Sequence, residues 1–250
     1  MRRFWKIAIT YIGETATLLW QIILAAPTVV RRIPLVIEQF IFMGIASLTI
    51  VLLTAMFTGM VTAFEAYHQV QHYAPIVYVG MMVTKAMMIE LGPLITGLVL
   101  SGRLASSIAA ELGTMKVTEQ IDALEVMAIN PIEYLVVPRV FTGMIVTPLL
   151  TILAEFVGVI GGYFVSRFFF QISTALYFRG VRLHYLPHEL FGGLLKSLVF
   201  GLVISFMGCF HGLRTEGGAE GVGRSTTRAV VSSSILLLLA DYLVARIVFS

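Results

Sequence analysis

The chain has 250 residues, of which 58% are apolar and only 12% are charged, whereas soluble domains carry roughly 25% charged residues. Together with a mean hydropathy of +0.93, this composition indicates an integral membrane protein. The small net charge of +3 and the single cysteine, Cys209, exclude a disordered chain, a disulfide scaffold and a nucleic-acid-binding module.

The N-terminal region, residues 1–34, is predicted to form an amphipathic helix that lies on the membrane surface. The apolar face comprises Trp5, Ile9, Ile12, Ala16, Leu19 and Ile23, and the polar face comprises Lys6, Thr10, Glu14, Thr17 and Gln21. A signal peptide is not expected, because Glu14 interrupts the apolar stretch and no small-residue cleavage site follows it. The alternative is a broken sixth span.

The transmembrane region, residues 35–250, contains five apolar runs long enough to cross a bilayer as helices. They cover residues 39–64, 76–100, 140–165, 190–210 and 229–248. The sequence therefore predicts an all-α membrane protein, with residues 1–250 forming a single domain.

Lys and Arg are absent from the loop 65–75 and frequent in the loops after the second and fourth spans. This asymmetry predicts a cytoplasmic N-terminus and an external C-terminus, although Arg167, Arg179 and Arg182 in the third loop oppose it.

Signatures of bond chemistry are missing from the sequence. No Gly-x-x-x-x-Gly-Lys-Ser/Thr loop is present to bind a nucleotide phosphate, and no Gly-x-Ser-x-Gly motif marks a nucleophile. His68 and His72 share a helical face, but His184 and His188 lie in another loop and no thiolate joins them, so no metal site is expected. The sequence therefore favours a non-enzymatic protein without a cofactor of its own.

The loop between the second and third spans, residues 111–139, contains a predicted short helix from Lys116 to Ala128, stopped by Asn130-Pro131. Its acidic face comprises Glu119, Asp122 and Glu125, and its apolar stripe comprises Val117, Ile121, Leu124 and Ala128. A helix this short is marginal alone. It is expected to pack either on the protein's own loops or in a groove of a soluble partner.

Several runs of the chain closely resemble the MlaE family of ABC-transporter permeases. They are Glu90-Leu-Gly-Pro-Leu, Gly102-Arg103, the block from Ala110 to Pro131 with Gly113-Thr-Met-Lys-Val-Thr-Glu-Gln-Ile-Asp-Ala-Leu-Glu125 at its centre, Gly217-Gly-Ala-Glu-Gly-Val-Gly223, Thr226-Thr-Arg-Ala-Val-Val231 and Ala240-Asp-Tyr242. The resemblance implies a homodimeric permease in the bacterial inner membrane. It also implies an ABC ATPase subunit that binds the ATP, an MCE-domain partner, a small STAS-domain subunit in some systems, and phospholipid or a related lipid as substrate.

The same resemblance implies roles for particular residues. The helix from Lys116 to Ala128 would be the coupling helix on which the ATPase acts, with Glu119, Asp122 and Glu125 meeting the partner's polar groups and Leu124 as an apolar anchor. Glu90 and Tyr73 would contact the lipid head group. One departure from the family pattern is Ile89, which stands where members often have a basic residue.

Four charged residues fall inside the predicted spans, where each costs at least about 2.5 kcal/mol on insertion scales. Glu155, Lys196 and Asp241 lie at similar depths and are expected to neutralise one another. Glu90 is expected to lie deeper, beside Pro93, as a lipid contact or as a helix-kink or dimer-contact residue. The apolar stretch with Met81, Met82, Met87 and Met88 would suit variable acyl chains or ordinary packing.

Two other functions remain open at this point. An ion-coupled secondary carrier would use Glu90, Glu155 and Asp241 as a proton relay, although no inverted repeat is visible. A membrane anchor for MCE and ATPase partners would not transport at all. The preferred hypothesis is a lipid permease driven by a separate ATPase.

Overall fold

The computed structural model describes residues 2–183 and 185–249, and within them it contains helices and no strand. The α-helices are α1 (Arg2–Ala25), α2 (Ile33–Phe40), α3 (Ala46–Val70), α4 (Tyr78–Ala86), α5 (Gly92–Leu100), α6 (Ser106–Val117), α7 (Gln120–Val126), α8 (Val137–Phe168), α9 (Thr174–Leu183), α10 (Pro187–Leu213) and α11 (Gly218–Phe249). The prediction of an all-α membrane protein is confirmed.

Five helical segments are long and apolar enough to cross a membrane, as predicted. They are Thr10–Val70, Tyr78–Val117, Ile132–Phe168, Pro187–Leu213 and Gly218–Val248. The first would be about 90 Å long as one helix, three times the thickness of the hydrocarbon core. It is interrupted by the 3₁₀ stretch Ala26–Arg32, which carries Pro27, Arg31 and Arg32. Residues 33–70 are therefore the part that can span the bilayer.

Four π-helical turns are built into the first three spans. They are Ile41–Ile45, Met87–Leu91, Ser101–Ala105 and Ile132–Val136. A π turn inserts one extra residue into a helix and rotates the side chains that follow it. The turn Met87–Leu91 directly precedes Pro93, whose missing N–H cannot continue the regular ladder of hydrogen bonds. This turn contains Glu90.

Small residues allow the third span to pack closely inside the chain. A Cβ added at Gly59 on α3 would collide with the carbonyl oxygen of Gly158 on α8, and one added at Gly161 would collide with the carbonyl of Met56. The Gly158-x-x-x-Gly162 step is therefore occupied by α3 and by residues such as Tyr177 and Val83 of the same chain. The largest buried cluster runs through α3, α5, α6, α8 and α10, whereas Val83, Met87 and Tyr177 beside this step belong to two smaller clusters.

Helix α1 docks on the bundle through residues outside its predicted apolar face. Leu18, Ile22 and Ala25 are buried in the core, whereas Ile12, Leu19 and Ile23, assigned to the apolar face that lies on the membrane, are exposed together with Trp20 and Leu24. The polar face is also engaged, because Glu14 forms an ion pair with Arg214 at the end of α10. The side chains of Trp5, Lys6 and Ile9 lie outside the described residues. An apolar surface on both sides of α1 suits a helix held between protein and lipid.

Candidate functional site

The spans bring together a cluster of three charged side chains from distant parts of the sequence. Lys196 on α10 is fully buried, and its Nζ lies 2.5 Å from Oε2 of Glu90 and 3.0 Å from Oδ1 of Asp241. Glu90 belongs to the π turn Met87–Leu91 and Asp241 to α11. The contact with Asp241 is an ion pair without the geometry of a hydrogen bond, since Oδ1 has no hydrogen-bond partner. The cluster therefore links the second, fourth and fifth spans.

Glu90 is the member of this cluster through which a ligand can reach it. Its side chain is 43% exposed, against 12% for Asp241 and 0% for Lys196. A buried ammonium needs partners, because an uncompensated charge in a low-dielectric interior costs several kcal/mol. Lys196 thus explains how a carboxylate at position 90 persists inside a span. Glu90 was expected to lie deeper in the membrane than Lys196. This expectation is wrong, because the ion pair places the two side chains at the same level.

Glu155 occupies a different environment from the one expected. Its carboxylate group is buried beside Gly92 and Gly193, and its Oε1 has no hydrogen-bond partner among residues 2–183 and 185–249. The expectation of mutual neutralisation holds for Lys196 and Asp241. The second ion pair of Lys196 runs to Glu90, a partner that the sequence had not assigned to it.

The structure does not bring Tyr73 and Glu90 together. Tyr73 lies in the loop between α3 and α4 and is 91% exposed. Glu90 lies twelve residues beyond the start of α4 at Tyr78, about 18 Å along the helix. Of the two residues predicted to contact lipid, Tyr73 therefore lies just before the start of the second span and Glu90 lies in its middle. Met87 and Met88, between them, are buried in the bundle, and Met87 packs against Gly158.

An apolar cleft of about 360 Å³ opens between the first span and α8. It is lined by Phe40, Gly44, Ile45, Leu48, Val146, Leu149, Leu150, Ile152 and Leu153. Its lining contains no charged residue. A cleft of this chemistry fits hydrocarbon, and it shows that the outer surface of the bundle is grooved as well as apolar.

The predicted coupling helix is shorter than expected, because the chain breaks at its N-terminal end. Glu119 adopts a left-handed conformation with φ of 59°, and Ala128 does so with φ of 58°. Between them α7 covers only Gln120–Val126. Val117 and Glu119, predicted to lie on α7, instead end α6 and form the turn. An ion pair of 2.7 Å between Lys116 and Asp122 closes the angle between the two helices.

The side chains of α7 divide between the protein and its surroundings. Ile121 is buried, and Leu124, predicted as the anchor for a partner, is half-buried against the protein's own core. Asp122 and Glu125 are exposed, as predicted for the acidic face. The exposed apolar side chains at this end are Val126 and Met127, at 88% and 61%.

A buried arginine holds the base of this hairpin, and sequence reasoning missed it. Arg139, in the first turn of α8, donates from Nη2 to Glu111 of α6 and from Nη1 to the carbonyl oxygen of Leu135, both at 2.7 Å. Its side chain is 5% exposed. The signal in the sequence was an arginine at the start of an apolar run. This contact joins the second and third spans next to α7.

Comparison with known proteins places the chain in a family. The sequence model described as Permease MlaE matches residues 36–247. The chain is 41% identical to a probable ABC transporter permease protein of Rickettsia conorii, covering 86% of this chain and 83% of that protein. It is 29% identical to the intermembrane phospholipid transport system permease protein MlaE of Haemophilus influenzae, over 95% and 92% of the two chains. It is 36% identical to the chloroplastic protein TRIGALACTOSYLDIACYLGLYCEROL 1 of Arabidopsis thaliana, over 85% and 61%. The chain is a multi-pass membrane protein that belongs to the MlaE permease family.

Proposed function

We propose that the chain is the membrane subunit of an ABC transporter that moves phospholipid or a related lipid between the inner and outer membranes. The observation that carries this proposal is a carboxylate, Glu90, that is held by a buried ammonium inside a span and remains 43% exposed. The phospholipid system to which the similar Haemophilus influenzae protein belongs supports the substrate class.

A sheltered apolar route suits such a substrate on energetic grounds. Exposing two acyl chains of about 16 carbons to water would cost roughly 25 kcal/mol, at about 0.8 kcal/mol per CH₂. An aqueous pore cannot compensate for this cost. The exposed apolar faces of the spans and the cleft beside α8 can shelter hydrocarbon, while Glu90 would contact the polar head group. Tyr73 would meet the lipid at the mouth of the same span.

Energy for transport would come from a separate ATPase that binds ATP and docks on α7. The exposed surface of α7 combines carboxylates at Asp122 and Glu125 with the apolar side chains Val126 and Met127. Polar contacts of this kind fix register and orientation, and exposed apolar side chains supply the buried area. Glu119 in the turn and Leu124 on the inner side would position the helix. Movement of α7 would reach the spans through Ile121 and the Arg139–Glu111 pair.

The assembly would contain two copies of this chain, two ATPase subunits and an MCE-domain protein, with a small STAS-domain subunit as a further partner.

The Lys and Arg distribution supports an inner-membrane orientation with α7 and the N-terminus in the cytoplasm and the C-terminus in the periplasm. Cysteines introduced at Ala219, next to Gly218, and at Arg182 test this orientation, since both positions are exposed and the native Cys209 is buried. A reagent that does not cross the membrane should label position 182 from outside and position 219 only from the cytoplasm.

The coupling assignment is tested by reversing charge on α7. The variant with Asp122→Lys and Glu125→Lys should lose co-purification with the ATPase and still insert in the membrane. Glu216→Lys is the matched control, because it reverses an exposed carboxylate at the same end of the bundle outside α7. Equal recovery of the ATPase with both variants would contradict the coupling role.

The lipid assignment is tested at Glu90. Glu90→Lys places a second ammonium beside Lys196, whereas Glu90→Gln keeps the shape and removes the charge. We expect the lysine variant to lose lipid-stimulated ATP turnover while the complex with the ATPase stays assembled. Normal lipid capture and turnover by Glu90→Lys would move the substrate site elsewhere. Lipid transfer by the chain without any ATPase would favour the ion-coupled carrier instead.

A further inference from the structure

The end of the bundle opposite α7 carries a basic surface on α9. Arg179 and Arg182 are both exposed, and neither forms an ion pair or a hydrogen bond with another residue in 2–183 or 185–249. The opposite face of α9 is anchored, because Tyr177 is buried and its hydroxyl donates to the carbonyl oxygen of Val159 on α8. Two unpaired guanidinium groups are therefore presented outward by a helix that is fixed in place.

Arg179 stands between two open clefts, one with two arginines in its lining and the other with one. One, of about 460 Å³, is lined by Thr174, Ala175, Phe178, Arg179 and Arg182. The other, of about 570 Å³, lies between α9 and the loop that precedes α4, and is lined by Ala74, Pro75, Ile76, Val77, Leu176, Arg179 and Leu183. Apart from Arg179, every side chain of the second cleft is apolar. Two mostly apolar clefts thus adjoin each other along one helix, and the arginines stand at one of them and between the two.

The surroundings identify this region as the level of the lipid head groups. Tyr73, directly before the second cleft, is 91% exposed, and Tyr185 beyond α9 is 48% exposed. Tyr and Trp side chains concentrate at the two interfaces between membrane and water. The guanidinium fork binds phosphate oxygens in a bidentate manner, and the apolar cleft beside it can take the first carbons of an acyl chain.

We infer that α9 forms a phospholipid-binding site at the outer surface of the membrane, in which Arg179 and Arg182 bind the phosphate and the cleft between α9 and residues 74–77 holds the start of an acyl chain. The outer location rests on the orientation given in the proposed function. The site is separate from Glu90, which lies about 18 Å further along the second span. It would hold a phospholipid of the outer leaflet at the end of the bundle where α9 lies.

The site is tested by photolabelling of the full-length chain in dodecyl maltoside micelles, which contain no phosphate, without the ATPase. The probe is phosphatidylglycerol with a photoreactive group near the start of one acyl chain, and the control lipid is the corresponding diacylglycerol, which lacks the phosphate. We expect the phosphatidylglycerol probe to label residues 74–77 and 174–183 and the diacylglycerol to label them far less. Because binding is measured without ATP turnover, a failure of the coupling proposal does not affect this result.

Variants decide whether the two arginines are responsible. Replacing both, Arg179→Gln with Arg182→Gln, should lower labelling about tenfold, which corresponds to about 1.4 kcal/mol of binding free energy. Arg167→Gln is the matched control, since it removes an exposed arginine at the same end that lines neither cleft. Thermal unfolding of both variants should match that of the unmodified chain.

Any one of the following results would overturn the inference. Equal labelling by the diacylglycerol, or labelling unchanged in the double variant, would show that the phosphate is not recognised. Loss of labelling at inorganic phosphate concentrations below that of the lipid probe would indicate a site for the free ion. Retention of lipid labelling with loss of a co-purifying acidic protein would make α9 a protein-docking surface instead.

Discussion

Lysine–carboxylate pairs occur both inside the spans and on the α6–α7 hairpin, with very different surroundings. Lys196 is 0% exposed and pairs with carboxylates from two other spans, whereas Lys116 and Asp122 are 36% and 51% exposed and lie six residues apart. A buried ammonium stripped of its partners is expensive, and an exposed pair contributes at most about 1 kcal/mol. The buried pair therefore holds spans of the bundle together, whereas the exposed pair affects only the local angle between α6 and α7.

The largest effect is expected from Lys196→Met. Methionine fills a similar volume but leaves Glu90 and Asp241 without their common cation, so the free energy of unfolding should fall by about 3–5 kcal/mol. Thermal unfolding in mild detergent measures this loss. Adding Glu90→Gln and Asp241→Asn to the same chain should restore most of the stability. A single variant as stable as the unmodified chain would show that the cluster does not tie the spans together.

A smaller effect is expected from Arg139→Gln, which lies between the two regions. Loss of its hydrogen bonds to Glu111 and Leu135 should cost about 2 kcal/mol, since the guanidinium is buried and Glu111 is half-exposed. Arg224→Gln is the control, because Arg224 is exposed and its pair with Glu220 is 3.6 Å long. Stability is measured by chemical unfolding in detergent. Equal losses in the two variants would show that the buried contact at the base of the hairpin has no special weight.

Glu90→Gln should be milder still. The amide can still accept a hydrogen bond from Lys196, and Asp241 continues to balance the ammonium charge. Since the hydrogen bond to the ammonium is kept and only its charge-assisted part is lost, the loss should be about 1 kcal/mol. Asp241→Asn, at a more buried position, is expected to cost more. The reverse order in thermal unfolding would mean that Glu90, rather than Asp241, is the principal counter-ion of Lys196.

The five spans could be predicted because the thickness of the bilayer sets the length of an apolar helix. The lateral order of the helices could not be predicted, since it is decided by packing between residues far apart in sequence. Lys196 and Glu90 are separated by 106 positions, and their similar depth became visible only when the spans were assembled. The close contact of Gly59 with Gly158 could not be predicted either, because these two residues are also far apart in the sequence.

On the hairpin, the sequence predicted a helix, its acidic face and its C-terminal end near Ala128, but not the break at Glu119. Residues 116–128 are mostly good helix formers. Left-handed backbone at Glu119 and Ala128 is unfavourable for residues with a Cβ, so no local preference would place a break at Glu119. The buried Ile121 and the half-buried Leu124 suggest the reason, because seating these two side chains on the core requires the chain to turn on both sides of α7.

The smallest effect on stability is expected from Lys116→Met, which repeats the first substitution at the exposed pair. Asp122 keeps its hydration when Lys116 is removed, so the free energy of unfolding should change by no more than about 1 kcal/mol. The helix angle should nevertheless relax, because the 2.7 Å contact that closes it is lost. In the proposed function this would weaken docking of the ATPase on α7 without loosening the spans. Two quantities are measured for each lysine variant: the midpoint of unfolding and the amount of ATPase recovered on purification. Lys196→Met should lower the unfolding midpoint, and Lys116→Met should lower the recovery of the ATPase. If Lys116→Met instead destabilised the bundle as much as Lys196→Met, exposure would not be what separates the two regions.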